Sequence, residues 1–463
     1  MAARGQFSNR FGFIMAAAGS AVGLGNIWKF PFEVGEGGGA VFVLLYLIFC
    51  FLLCFPVMVT EIAIGRKTQR NAVGAFNALG FRRWNIVGKL GILSGILILS
   101  FYNVVAAWAF GYVFEMVRGN FDVGNNFGGY TSDIVKVFIY GVIFMVSTAL
   151  IVSQGVSKGI EKATKILMPT LIVIIAFLVI YSLTLEHSLT GLSFYLKPDL
   201  SAINGKVIYG ALGQAFFSLS LGMGALITYG SYVNKSDNII TSATLITLMD
   251  VGIAFIAGLM MFPFVAYLSN GTMEGVSGGP GLIFATLPGV FESLGSAGVF
   301  IGAIFFLLLS FAALTSTVSL LEVPVSYVVD EHKMKRKPAV WIMAGVIFLV
   351  GIPSMLSGGY SEFFTKFITY FNASGPTDFL SFVDDTASST FLPLGGFLIT
   401  IFAAYVWKKH NLEEELSIGA PSYKGSLVSK YISFAITVLC PLILGGIFVL
   451  TLMGKFFGVE VFS

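Results

Sequence analysis

Long apolar runs recur from Phe11 to Leu452. Each approaches the roughly 20 residues that a helix needs to cross the hydrocarbon core of a bilayer. The pattern predicts about eleven spans. They are Phe11–Phe32, Ala40–Gly65, Ile86–Val117, Ile134–Ser153, Gly159–Leu185, Lys206–Tyr232, Ile239–Leu268, Leu294–Val329, Val340–Met355, Ser388–Trp407 and Ser429–Met453. The outer segments Glu186–Gly205, Ser269–Ser293 and Leu356–Ala387 are too short for a soluble domain. The last two carry aromatics, Gly and Pro, and are expected to dip back toward the bundle. The first run follows a short polar start and lacks a small-residue cleavage site, so it is read as a retained helix and not a signal peptide.

Two runs are interrupted by glycine near the middle. The first reads Gly19-Ser20-Ala21-Val22-Gly23-Leu24-Gly25-Asn26, the sixth Ser218-Leu219-Ser220-Leu221-Gly222-Met223-Gly224. Their cores match, Val22-Gly23-Leu24-Gly25 against Leu221-Gly222-Met223-Gly224, and each begins a block of five spans. An odd-numbered block that repeats must cross the membrane in the opposite sense, which is the pattern of an inverted repeat with its site at paired broken helices. The expected fold is thus an all-α polytopic membrane protein: one transporter domain over residues 1–463, with repeats at 11–185 and 206–407 and an extra span at 429–453. Unwinding frees N–H groups that attract an anion. It also frees carbonyls that suit a small hard cation. Gly-rich faces used only for helix packing are the alternative. Packing alone does not explain the neighbouring Asn26, Ser218 and Ser220.

Composition narrows the class. Hydrophobic residues make up 56% and charged residues 11%, too little charge to cover a soluble domain of this size. The basic residues alternate between sides. Arg4 and Arg10, the 66–89 loop, Lys158–Lys165, Lys333–Lys337 and Lys408–Lys424 fall on one side, and Thr272–Glu292 on the other has none. The basic side is cytoplasmic, which places the N-terminus inside and, with an odd span count, the C-terminus outside, in the plasma membrane. Cys50, Cys54 and Cys440 all lie in apolar runs, where they read as packing residues and not as a disulfide or thiolate metal set. No nucleophile elbow or Walker motif argues for an enzyme, and nothing points to nucleic acid. A channel needs a continuous polar stripe, whereas these polar groups cluster at one depth.

At the two breaks the chain resembles the neurotransmitter:sodium symporter family, one of whose bacterial members is the standard example of broken-helix transport. The residues that carry this are Gly19 through Pro31 with Gly37-Gly38-Gly39-Ala40, Gly213 through Gly222, and Leu314-Thr315-Ser316-Thr317. The resemblance implies two sodium ions. One would be held by the Ala21 carbonyl, Asn26, Ser218, Asp250 and the substrate carboxylate. The other would be held by carbonyls of Gly19, Val22 and Ala312 with the hydroxyls of Thr315 and Ser316. It places the substrate carboxylate on Leu24 and Gly25 N–H and the Tyr102 hydroxyl, and the amino group on carbonyls near Ala21, Phe217 and Ser218 beside Ser220. Phe217 would act as a lid, and Ile98, Met223 and Leu320 would surround the side chain. It implies an outer gate of Lys29 with Asp384 or Asp385 (the distance to Pro393 favours Asp384), an inner pair of Arg4 with Asp330, and a Gly159/Pro169 element in the fifth span. The positions that hold chloride in dependent relatives are here Tyr46, Gln214, Ser218, Asp250 and Ala254. Asp250 supplies the negative charge, so no chloride requirement is expected. Thr315 and Ser316 could instead bond back to their own helix. The resulting expectation is sodium-coupled import of a hydrophobic or aromatic L-amino acid by a monomer or homodimer. A sensor or channel-like protein on the same fold is the alternative.

Overall fold

The structure, a computed structural model, describes residues 5–273, 282–370 and 375–457. Arg4 lies outside them. Among the described residues, nine continuous helices are long and apolar enough to cross a membrane: Ala40–Thr68, Arg82–Val117, Ile134–Ser153, Val156–Ser182, Ile239–Leu268, Ser296–His332, Arg336–Leu356, Phe379–Val406 and Leu427–Gly454. A tenth span is the pair Arg10–Ala21 and Gly25–Glu36, bent by 46° at their junction. The sixth span, expected to be interrupted, is two short helices, Gly205–Ser218 and Ala225–Gly230. Neither could cross a bilayer alone, and the chain between them is unwound. The only β pairing among the described residues is an isolated bridge from Ile368 to Thr377.

The third span is the axis of the bundle. Its most apolar stretch is 78% buried, against 22% for the eleventh span at the periphery. The outward side chains of peripheral spans are apolar, as at Val173, Ile180 and Leu442, because the bilayer is their solvent. The outer segment before the eighth span does dip back. Phe284 and Phe291 are fully buried, and Phe284 packs edge-on against Trp108 and Tyr112.

Seven π-helical turns interrupt the described helices. Five of them end two residues before a proline: Gly25–Lys29 before Pro31, Cys50–Cys54 before Pro56, Leu282–Thr286 before Pro288, Asp385–Phe391 before Pro393, and Ala435–Leu439 before Pro441. Proline has no N–H, and its ring clashes with the carbonyl four residues back. That carbonyl falls inside the π turn each time, so the wider turn relieves the clash. The freed carbonyl then needs a new donor at membrane depth. Tyrosines from other segments supply it: Tyr431 donates to Leu52 O at 2.7 Å, Tyr209 to Ser389 O at 3.3 Å and Tyr405 to Thr437 O at 2.5 Å.

The tenth span starts at Phe379, nine residues before the expected Ser388. Asp378 caps it by accepting from Ser381 N at 3.0 Å. Asp384–Ala387, expected in the outer segment before the span, lie inside it, in the π turn Asp385–Phe391 and the residue before it.

Candidate functional site

The first helix stops at Ala21 because Val22 is extended, with ψ 108°. A helix end leaves its last carbonyls without intrahelical donors, and side chains from other spans converge on them. Ser20 O accepts from Ser220 at 3.1 Å and from Ser316 at 3.3 Å, and Val22 O accepts from Thr315 at 3.1 Å. The sixth-span break is made differently. Ser220, Gly222 and Gly224 have φ of 55°, 76° and 73°, a region that side chains other than glycine rarely adopt. At Gly222 space also forbids a side chain, since a Cβ would lie 2.3 Å from Leu392 O.

Between the two breaks lies a buried polar cluster. Asn26 Nδ2 donates to Asp250 Oδ1 at 2.7 Å and lies 3.1 Å from both Asp250 O and Ser218 Oγ. Ser218 donates to Asp250 Oδ2 at 2.9 Å, and Tyr46 lies 3.1 Å from Ser218 Oγ and 3.3 Å from Asp250 Oδ2. Asn26 Oδ1 accepts from Gly23 N at 3.0 Å, which links the cluster to the first break. Gln214 donates to Gly25 O at 2.7 Å. Ala254, fully buried on the seventh span with Asp250, offers no donor. A carboxylate in mid-span is costly unless donors or a cation surround it. Here every partner in the described residues is neutral.

A second set lies on the other side of the first helix. Thr315 bonds back to Ala312 O at 2.9 Å as well as across to Val22 O. Ser316 reaches across to Ser20 O. Thr317 and Ser319 bond back to Leu314 and Ser316 O, as Thr315 does to Ala312 O, so local back-bonding leaves Ser316 and the reach of Thr315 to Val22 O to be explained. Gly19 faces Thr164 and Met168 of the fifth span. That span opens with the π turn Val156–Glu161, which includes Gly159, and carries Pro169 inside its helix.

The breaks enclose a cavity of about 20 Å³, lined by Ser20, Ala21, Gly25, Ile98, Tyr102, Phe217, Ser220, Met223, Ser316 and Leu320. That is room for about one water molecule, so the bundle is closed tightly here. The Leu24 N–H donates to the Tyr102 hydroxyl at 2.6 Å. The Phe217 ring lies over Gly25 and carries Lys29 Nζ 4.7 Å from its centre. Lys29 in turn pairs with Asp384 at 2.9 Å, and Asp384 accepts from Ser388 at 2.6 Å. The pair expected from either aspartate is therefore formed by Asp384. On the opposite side, Asp330 accepts from Asn71 N and Nδ2 at 3.2 Å. Its expected partner Arg4 is outside the described residues.

Sequence reading passed over three buried groups here. Glu61 of the second span is fully buried; Oε1 accepts from Gly222 N at 2.8 Å, which fastens the sixth-span break, and Oε2 has no partner among the described residues. Glu322 is buried under Arg336 and accepts from Tyr232 at 2.7 Å. Arg66, fully buried, pairs with Glu415 at 2.7 Å and donates to Asp237 O at 2.6 Å. Acids in mid-span were the available signal for Glu61 and Glu322.

A membrane-embedded helical bundle whose two broken helices meet at a small cavity is the architecture of a secondary transporter. The model of the sodium:neurotransmitter symporter family matches residues 4–127 and 132–456, and the chain belongs to that family. It is 37% identical to the uncharacterized sodium-dependent transporter YhdH of Bacillus subtilis, over 90% of this chain and 92% of that one. It is 33% identical to an uncharacterized sodium-dependent transporter of Haemophilus influenzae, over 96% and 98%. Among solved structures, MhsT in complex with L-phenylalanine matches with a TM-score of 0.88 and 41% identity, over 96% of this chain and 99% of that one.

Proposed function

We propose that the protein imports a hydrophobic or aromatic L-amino acid by symport with two sodium ions, through alternating access and without chloride. The observation that carries this reading is the convergence of both helix breaks on one cavity whose side walls are Ile98, Met223 and Leu320 and whose roof is Phe217. The substrate carboxylate takes the Leu24 and Gly25 N–H groups and the Tyr102 hydroxyl. The ammonium takes the carbonyls near Ala21, Phe217 and Ser218, beside Ser220. Among the described residues no acidic side chain lines the cavity, which favours a zwitterion over an amine without a carboxylate. The MhsT complex with L-phenylalanine supports the same class. The first sodium ion takes the Ala21 carbonyl, Asn26, Ser218 and Asp250. The second takes the Gly19, Val22 and Ala312 carbonyls with Thr315 and Ser316. Oxygen-only sets of this kind suit a small hard cation. The repeats run over 11–185 and 206–407. The N-terminus faces the cytoplasm and the C-terminus the outside of the plasma membrane, by the loop charges.

Chloride independence rests on Asp250, whose carboxylate is held by Asn26, Ser218 and Tyr46 beside the donor-less Ala254. Proteoliposomes with an imposed inward sodium gradient test the whole reading. Uptake of L-phenylalanine or L-leucine is expected to require sodium and to persist with gluconate in place of chloride. The double variant Asp250→Asn, Ala254→Ser is expected to become chloride-stimulated. Binding without gradient-driven accumulation would identify a sensor instead. Collapse of wild-type uptake in gluconate would remove the assignment to Asp250.

A further inference from the structure

The short helix Lys409–Ser417 lies in the chain between the tenth span, which ends at Val406, and the eleventh, which begins at Leu427. Between it and the eleventh span is a groove of about 500 Å³. It takes no part in the transport cavity. Its rim holds Lys409, His410 and Lys430, all exposed. None of these three side chains has an ion pair or hydrogen bond among the described residues. The rim also holds one acid, Glu413. One of its oxygens accepts from Ser429 at 2.9 Å, and the other has no partner among the described residues. Below the rim the groove wall turns apolar through Phe434 and Val438 of the eleventh span, which are 55% and 40% exposed.

A rim with both signs of charge above an apolar, lipid-facing wall matches a lipid and not a free ion. Basic pockets between membrane helices bind phosphate headgroups. A lone acid beside them adds a seat for a cation attached to the same headgroup. We propose that this groove holds a phospholipid whose headgroup carries both a phosphate and a primary ammonium, of the phosphatidylethanolamine class. Its phosphate lies against Lys409, His410 and Lys430. Its ammonium donates to the open oxygen of Glu413, and one acyl chain runs down past Phe434 and Val438. A trimethylated headgroup has no N–H to give Glu413, and phosphatidylglycerol has no cation. By the loop charges the groove opens to the inner leaflet, but the choice of headgroup does not rest on that orientation or on the transport reading.

Native mass spectrometry of the full chain, exchanged from detergent into equal mixtures of phosphatidylethanolamine, phosphatidylcholine and phosphatidylglycerol with matched acyl chains, tests this. Wild type is expected to retain one phosphatidylethanolamine, several-fold over the other two. Glu413→Gln is expected to abolish the preference over phosphatidylcholine. The exposed pair Lys409→Gln, Lys430→Gln is expected to lower retention of all three about thirtyfold, whereas Lys335→Gln, Lys337→Gln, with the same loss of charge, leaves retention unchanged. Equal retention of the three lipids by wild type, which marks ordinary boundary lipid, would overturn the proposal. So would a preference for phosphatidylglycerol, displacement of the lipid by soluble phosphoethanolamine at similar concentration, or a second copy of the chain in place of the lipid.

Discussion

The two helix breaks do the same topological work with different means. The first is held by other parts of the protein. Its backbone departs from helix chiefly at Val22, and its freed groups are taken by side chains from the third, sixth and eighth spans. The sixth is set chiefly by its own backbone, with Glu61 of the second span fastening Gly222 N. Three residues sit in the left-handed region, and Gly222 is pressed so closely on Leu392 that no side chain fits. The contrast teaches which break can respond. A break clamped by hydroxyls changes when an ion or substrate competes for those hydroxyls. A break built into left-handed glycine is set before any ligand arrives and serves as the fixed wall.

The strongest way to break this comparison is Gly222→Ala. A left-handed non-glycine residue costs about 1–2 kcal/mol, and overpacking against a backbone carbonyl adds about 1–3. The expected outcome is a drop of several degrees in thermal midpoint with loss of uptake. Gly213→Ala in the same span, where a Cβ meets nothing within 4 Å, should be neutral or slightly stabilising. If the two substitutions behave alike, the sixth break is not backbone-determined.

Next in size is Thr315→Ala with Ser316→Ala. It removes two hydroxyls from the first break while barely altering packing, so sodium-driven uptake should vanish and size-exclusion behaviour should not change. Retained sodium dependence would show that these hydroxyls only tie the helices together. Glu61 sharpens the contrast from the other side. Glu61→Gln keeps an acceptor for Gly222 N and should cost little. Glu61→Ala orphans a buried N–H, at about 1–3 kcal/mol, and should lower the thermal midpoint. The smallest effect is expected for Lys29→Gln. Asp384, 26% exposed, keeps its access to water and its Ser388 donor when Lys29 is replaced, so a few-fold change in uptake rate with little change in stability is the outcome to look for.

Legibility followed the range of the interactions. Apolar runs located the spans, since the bilayer demands length whatever the neighbours are. Glycine spacing located both breaks. The distance to Pro393 singled out Asp384 over Asp385. The start of the tenth span was missed because Asp384, Asp385 and their Ser/Thr neighbours look like loop when their partners, Lys29 among them, are 355 residues away. Glu61 was missed for the same reason. Its partner is a backbone N–H 161 residues on, which leaves no pattern in residue type. The sixth span was expected as one interrupted helix, but its second half is only six residues long.

The π turn at Asp385–Phe391 also makes chain length part of the outer gate. Such a turn holds one more residue than the α turn it replaces, and each helical residue advances the chain by about 100° around the axis. Deleting one residue within it would let the segment rewind as ordinary helix. Asp384 would then face away from Lys29 relative to everything past Pro393, without any charged side chain having changed. A relative could therefore keep every gate residue and still lose the gate by being one residue shorter.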